Sequence, residues 1–309
     1  MARVRRPRTK RAGFNLSRLR RPKAKHDLRR QLLASTDNAG KKVEGFETQK
    51  KMKKEKARRA KSLERLSGKV WGTKSKLRAR REAARLSKLL RRAIRTRDLP
   101  SFANPLFMRA LRRRLLGELL RLIGDTPADE ARVYTIAAPK WKRPASQLDS
   151  LRPRKLRETS RTSLIKAGLN QLTGWSIAFF HNEYDRSTDS YQPHFHVIVV
   201  GEKYRAFEAL RELKMFQGGR GKSVYRPIVC QLLRDPARQI SYLFKGYWLQ
   251  QSSRIDQDTG GTRRHLARRM REMRHAESIL FLHRQSFSDL VWLHGIRISR
   301  RRLVPEARE

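Results

Sequence analysis

"YQPHFHVIVVG" (residues 191–201) is the most strand-like stretch of this 309-residue chain, and it holds two histidines one residue apart. Successive side chains of a strand point to opposite faces. His194, His196, Ile198 and Val200 therefore share one face, while Phe195, Val197 and Val199 share the other. The second set reads as the packed face. The first sets two imidazoles about 7 Å apart along the strand, where both can converge on one divalent cation.

A third ligand is to be sought on the neighbouring strand. "WSIAFFH" (175–181) is strand-like, and the polar "NEYDRSTDSYQ" (182–192) reads as the turn between the two. With that turn centred near Ser187 and Thr188, His194 lies opposite His181 and His196 opposite Phe179. Glu183 then stands one pleat further out on the His181 face. Either His181 or Glu183 could complete a site.

Working outward, "RVYTIAA" (132–138) and "SVYRPIVCQLL" (223–233) read as further strands. "PRKLRETSRTSLIKAGLNQL" (153–172) and "KYRAFEALRELKMF" (203–216) read as helices. The order β-α-β-β-α-β predicts an α+β fold of ferredoxin-like type: a four-stranded antiparallel sheet with two helices on one face and the other face open. "DPARQISYLFKGYWLQ" (235–250) follows as a helix, with Asp235 at its N-cap and Pro236 in its first turn. On such a helix Tyr242 and Lys245 stand at i and i+3, on one side.

The flanks are different in character. The chain carries 75 Lys and Arg against 28 Asp and Glu, a formal net charge of +47. Residues 1–100 hold 36 of those cations and 8 of the anions. Such a field favours a polyanionic partner, with nucleic acid foremost. Residues 1–100 are expected to be a basic DNA-binding arm, partly disordered or helical, with helix plausible over 76–95. Residues 101–130 read as a linker followed by an amphipathic helix over 106–124, and 131–251 as the functional domain. Residues 252–309 read as a basic, helical extension. His265, His275, His283 and His294 there share no spacing and read as surface or packing residues.

The lone Cys230 excludes an internal disulfide and any cysteine-rich zinc site, and no apolar run is long enough to span a bilayer. A soluble, cytoplasmic protein with no membrane partner is expected.

"QPHFHVIVVG" resembles the second motif of the HUH endonucleases, and is most similar to plasmid initiators of rolling-circle replication with a single catalytic tyrosine. "GWSIAFFHNEYDRSTDSYQPHFH" resembles the hairpin that carries the motif there. "RVYTIAA" stands in the place of the first motif, matching in strand character and threonine only. An acidic residue usual in the first hairpin strand would fall near Ala178 or Phe179, where this chain departs from the pattern. "YLFK" (242–245) is similar to the Tyr-x-x-Lys of the third motif. The resemblance implies a bacterial initiator that binds Mg²⁺ or Mn²⁺ through His194 and His196 and nicks single-stranded DNA through Tyr242. It would leave a 5′-phosphotyrosine, act at an origin duplex and work with a host helicase. Lys245 would favour the phenolate or assist the leaving oxygen.

Transposases and relaxases share this chemistry and stand as alternatives. Another is a non-catalytic RNA- or DNA-binding platform of the same strand order. A histidine-triad hydrolase would need a third alternating histidine, and position 198 is Ile.

Overall fold

The computed structural model describes residues 16, 19, 49–68, 74–124, 126–127, 129–218, 226–244, 246–255, 262–264, 268–270 and 272–306. Two helices lead. α1 (Gln49–Gly68) and α2 (Lys74–Arg92) bring Ala60, Leu63 and Leu66 against Ala83, Leu86 and Leu90, all buried. The helix expected over 76–95 is present as α2, and α1 is a second helix that the sequence reading did not single out. A helix needs only a stripe of small and aliphatic side chains to build a core, and the many cations can occupy its remaining surface.

α3 (Pro105–Ile123) starts where Asn104 accepts from the Leu106 amide at 3.1 Å and Pro105 takes the first turn. Its Leu111, Leu115 and Leu119 are fully enclosed. β1 (Ala131–Ile136), the short β2 (Arg143–Pro144), α4 (Pro153–Lys166), β3 (Trp175–Asp185), β4 (Ser190–Val200), α5 (Tyr204–Ala209), β5 (Ile228–Leu232) and α6 (Pro236–Leu243) follow. The chain then adds β6 (Leu249–Gln251), β7 (Ser253–Ile255), β8 (Thr262–Arg264) and β9 (Arg268–Arg269). It ends with α7 (Glu272–Arg284), α8 (Phe287–Leu290), β10 (Val291–His294), β11 (Ile296–Ser299) and β12 (Arg302–Pro305).

The protein is α+β, with a mixed sheet whose strand order is β5-β1-β4-β3-β6-β9. The β5–β1, β1–β4 and β4–β3 pairs are antiparallel, and the β3–β6 pair is parallel. β10 pairs with β3 through Val291↔Phe179, so the segment expected to be a helical tail supplies a strand to this sheet. Its α7 adds Ala276, Ile279 and Leu280 to the core of α1 and α2.

Three expected boundaries shift. The β3–β4 strands run further than 181 and start earlier than 193, leaving Arg186–Asp189 as the turn. Asp189 adopts φ +41°, and Tyr184 (2.6 Å) and Arg274 (2.9 Å) hold its carboxylate. The helix expected over 203–216 gives way after Ala209 to 3₁₀ turns. The helix expected over 235–250 ends at Leu243.

The histidine-bearing face is covered rather than open. Phe179 packs edge-on against Phe102 (6.4 Å between ring centres) and Phe244 (5.1 Å), and Phe102 against Phe107 of α3. The cause is in the strands themselves: Ile177, Phe179 and Ile198 make this face apolar too, and it must be shielded from water. The opposite face packs Phe195 against Trp141 and Phe180, and Tyr134 of β1 against Phe207 of α5.

At the sheet end, Gly174 has φ +97° and its Cα approaches Gly201. A methyl group there would meet the Val200 carbonyl oxygen at 1.9 Å. Gly174→Ala should therefore destabilise the fold by at least about 2 kcal/mol, read as a lower urea midpoint at unchanged m-value.

Two histidines outside the sheet centre predict acid sensitivity. Burial, then the charges of Lys203 and Arg161, hold His294 down to about 4, and burial also lowers His275. Both are neutral in the folded chain at neutral pH, whereas the unfolded chain takes up their protons near its ordinary value of 6.5. Stability should be flat above about pH 6.5 and fall as pH drops towards about 4, and His294→Gln should flatten part of that slope in melting experiments.

Candidate metal centre

The hairpin register is His181↔His194, Phe179↔His196 and Glu183↔Gln192. It brings three imidazoles to one point. Ring centres lie 4.7 Å (His181–His196), 4.8 Å (His194–His196) and 5.7 Å (His181–His194) apart, and one nitrogen from each falls within 4.8 Å of the others. All three residues are buried, at 4, 5 and 8% exposure for His181, His194 and His196. This trio could hold a metal ion.

The hydrogen bonds decide which atoms could serve. His194 Nδ1 lies 3.0 Å from the Gln192 carbonyl, and His181 Nε2 lies 2.5 Å from the Leu243 carbonyl. A carbonyl only accepts, so those two nitrogens carry the protons, and in neutral rings His194 Nε2 and His181 Nδ1 offer lone pairs. Thr135 Oγ1 lies 2.9 Å from His196 Nδ1, which leaves His196 Nε2 for the site. The two Nε2 atoms are 3.2 Å apart. Two imidazoles on one cation at about 2.1 Å would hold their nitrogens about 3.0–3.4 Å apart, so this pair fits a shared ion. An all-imidazole set suits Zn²⁺, Ni²⁺ or Co²⁺ better than the Mg²⁺ or Mn²⁺ of the expectation, which favour oxygen ligands.

Tyr242 stands next to the trio. Its ring centre is 5.2 Å from that of His196, at 77°, and it is 39% exposed where the histidines are enclosed. Packing around the ring, then the negative charge of Glu183 and the neighbouring Tyr247, push its phenol well above the ordinary value.

Of the two candidates for third ligand, the structure brings His181 to the pair. Glu183 lies outside the histidine cluster, and its Oε2 accepts from Gln251 Nε2 at 2.7 Å. Lys245 lies outside the described residues. Its expected i, i+3 pairing with Tyr242 presumed a helix running to 250, whereas α6 ends at Leu243. Tyr247 is off that helix and buried, with the Arg269 guanidinium 4.2 Å above its ring centre.

The end of α6 is braced from three directions. Besides His181 on Leu243, Arg112 Nε of α3 donates to the Phe244 carbonyl at 2.8 Å, and Arg59 of α1 donates to the Gly246 carbonyl. These side chains satisfy carbonyls that a helix end leaves without partners.

Sequence reasoning missed Thr135 as a support of His196, and Arg59 and Arg112 as braces. The β1 threonine was noted only as a match. Its partner becomes visible once Thr135↔His196 is known as a strand pair. Thr135→Val should weaken Co²⁺ or Zn²⁺ binding about 10–100-fold in calorimetric titration while leaving the melting temperature close to that of the parent.

Comparison of the chain with protein-family models, curated proteins and solved structures found no match in any of the three.

Proposed function

We propose that this protein is a metal-dependent endonuclease of HUH type that nicks single-stranded DNA and retains the cut 5′ end on Tyr242. The observation that carries this reading is the exposed phenol of Tyr242 beside three converging, buried imidazoles. Supporting it, the order β5-β1-β4-β3 within the larger mixed sheet is compatible with a ferredoxin-like arrangement, and β4 bears His-Phe-His.

His194 and His196 through Nε2, and His181 through Nδ1, would hold the cation. Mg²⁺ or Mn²⁺ there would polarise a phosphodiester and lower the proton affinity of a nearby phenol. Tyr242 Oη then gives up its proton to solvent and attacks phosphorus in line, forming the O–P bond of a phosphotyrosine as the bond to the 3′ oxygen breaks. That oxygen takes a proton from solvent and leaves as a 3′-hydroxyl, so one proton is lost and one gained. The phosphotyrosine remains a phosphodiester, so the same residues can run the step backwards and rejoin strands. The surrounding positive charge would keep the displaced strand near the site. Initiation of rolling-circle replication of a plasmid or phage is the setting in which such chemistry serves, with transposition or conjugative transfer as the alternative.

The test is incubation of the full chain with a pool of single-stranded oligonucleotides and Mn²⁺, followed by a denaturing gel. A covalent adduct that disappears with a chelator is expected. An adduct indifferent to the chelator, or none under any divalent cation, would overturn the reading. A second reading, a non-catalytic nucleic-acid platform, is favoured by the net charge of +47. Under nuclease function, His194→Ala with His196→Ala should abolish cleavage and leave salt-sensitive DNA binding intact. Under the platform reading the parent would show no cleavage, and the double variant would lose DNA binding.

A further inference from the structure

Away from the histidines, a cleft of about 1200 Å³ runs between α2, the start of α4 and the end of α7. We propose that this cleft grips the phosphate backbone of duplex DNA. It is a binding surface separate from the nicking site, and it stands whether or not Tyr242 cuts DNA.

One wall is α2, which carries nine Lys and Arg against one Glu in 19 residues. Arg78, Arg81 and Arg85 recur at i, i+3 and i+7, so they form a single row along the cleft, about 10 Å long at about 1.5 Å per residue. All three are exposed, and among the described residues none has a carboxylate or carbonyl partner. Arg152 and Arg154, at the beginning of α4, face them from the other wall. The carboxylates of the cleft are already engaged: Glu82 and Asp149 both by Arg284, at 2.7 and 2.5 Å, and Asp289 by the cap of α8. The Arg284 bridge ties the two walls together and leaves the row of three as the cations available to an incoming anion.

Guanidinium forks match phosphate oxygens in pairs, which makes phosphodiester the fitting chemistry. Unpaired strands are usually held by aromatic rings on which bases stack. Of the two aromatic rings lining this cleft, Phe281 is 2% exposed and His283 is half-buried, with its Nδ1 2.9 Å from Ser101 Oγ, so neither is an exposed platform. A surface with charge and no exposed stacking ring suits a duplex, whose bases are already stacked and whose backbone faces outward.

The test uses the full chain carrying Arg78→Gln, Arg81→Gln and Arg85→Gln together, with duplex binding followed by fluorescence anisotropy across a salt series. The slope of log affinity against log salt should become shallower by about 0.9 per lost phosphate contact, about 2.7 in all, with affinity at about 50 mM salt down tenfold or more. A charge-matched control, Arg297→Gln with Arg300→Gln and Arg302→Gln on the exposed β11–β12 hairpin, should keep the parental slope. An unchanged slope in the α2 variant would overturn the proposal, as would an equal loss in the control. So would a larger loss for a single strand of the same length, which would make the cleft a strand channel. If the triple variant melts early, Arg81→Gln and Arg85→Gln alone, each expected to remove about 0.9 of slope, take its place. Adduct yield on saturating single-stranded DNA should not change in any of these variants, so failure of the nicking chemistry and failure of duplex binding are read separately.

Discussion

Tyr242→Phe should bind cation and single-stranded DNA as the parent does and yet form no covalent adduct, a fall of about three orders of magnitude or more in the cutting rate. The substitution removes one oxygen from a ring that is 39% exposed, so little packing is lost with it. Only the atom that would bond to phosphorus goes. Tyr247→Phe is the companion measurement. Its ring lies buried under Arg269 and off α6, so adduct yield should stay within a few-fold of the parent. An adduct that survives in Tyr242→Phe and vanishes in Tyr247→Phe would move the nucleophile to the second tyrosine and undo the assignment.

The second large effect concerns stability. Arg59→Met should cost about 3–5 kcal/mol in equilibrium unfolding. Arg59 is 1% exposed, pairs with Glu55 at 3.1 Å and donates to the carbonyls of Ala103 (2.9 Å) and Gly246. Burial alone would raise the Glu55 carboxyl. Its contact with His275 and the charges of Arg59 and Arg269 outweigh that and hold it well below the usual carboxylate range. Without Arg59, an enclosed carboxylate loses one of its two closest guanidinium partners, keeping Arg269 at 2.5 Å, and the carbonyls of Phe102, Ala103 and Gly246 lose a donor that methionine does not replace. Glu55→Leu combined with Arg59→Met should recover part of the loss, since a pair of apolar side chains leaves no stranded charge. A loss under about 1 kcal/mol in the single variant would show that water or another cation takes over.

Much of the centre was legible in the residues. The alternation of His194 and His196 fixed their common face, and the turn near Ser187 fixed the opposition of His181 to His194, because strand register is set by the turn. The choice between His181 and Glu183 was not legible. It depends on where Gln251 comes to rest, and Gln251 reaches Glu183 only because β6 joins the sheet beside β3. The cover over the histidine face was hidden for a similar reason: Phe102, which packs on Phe179, stands in the stretch that reads as a linker, and nothing local shows where that stretch comes to rest. Leu and Ala at helical spacing over 76–95 show a helix but not its packing against α1 and α7. The end of α6 at Leu243 was masked by apolar residues that continue to Trp248, although Gly246 interrupts the run.

The carbonyls at the end of α6 lean on a histidine of β3 and on arginines of α1 and α3, far away in the chain. A fragment trimmed to begin near residue 131 would keep the three imidazoles of the centre and the phenol. It would give up the two guanidinium struts, and the phenol would swing on a frayed support. Such a piece should still take up metal while joining to DNA slowly and erratically, which makes the leading helices part of the machine's aim rather than luggage carried in front of it.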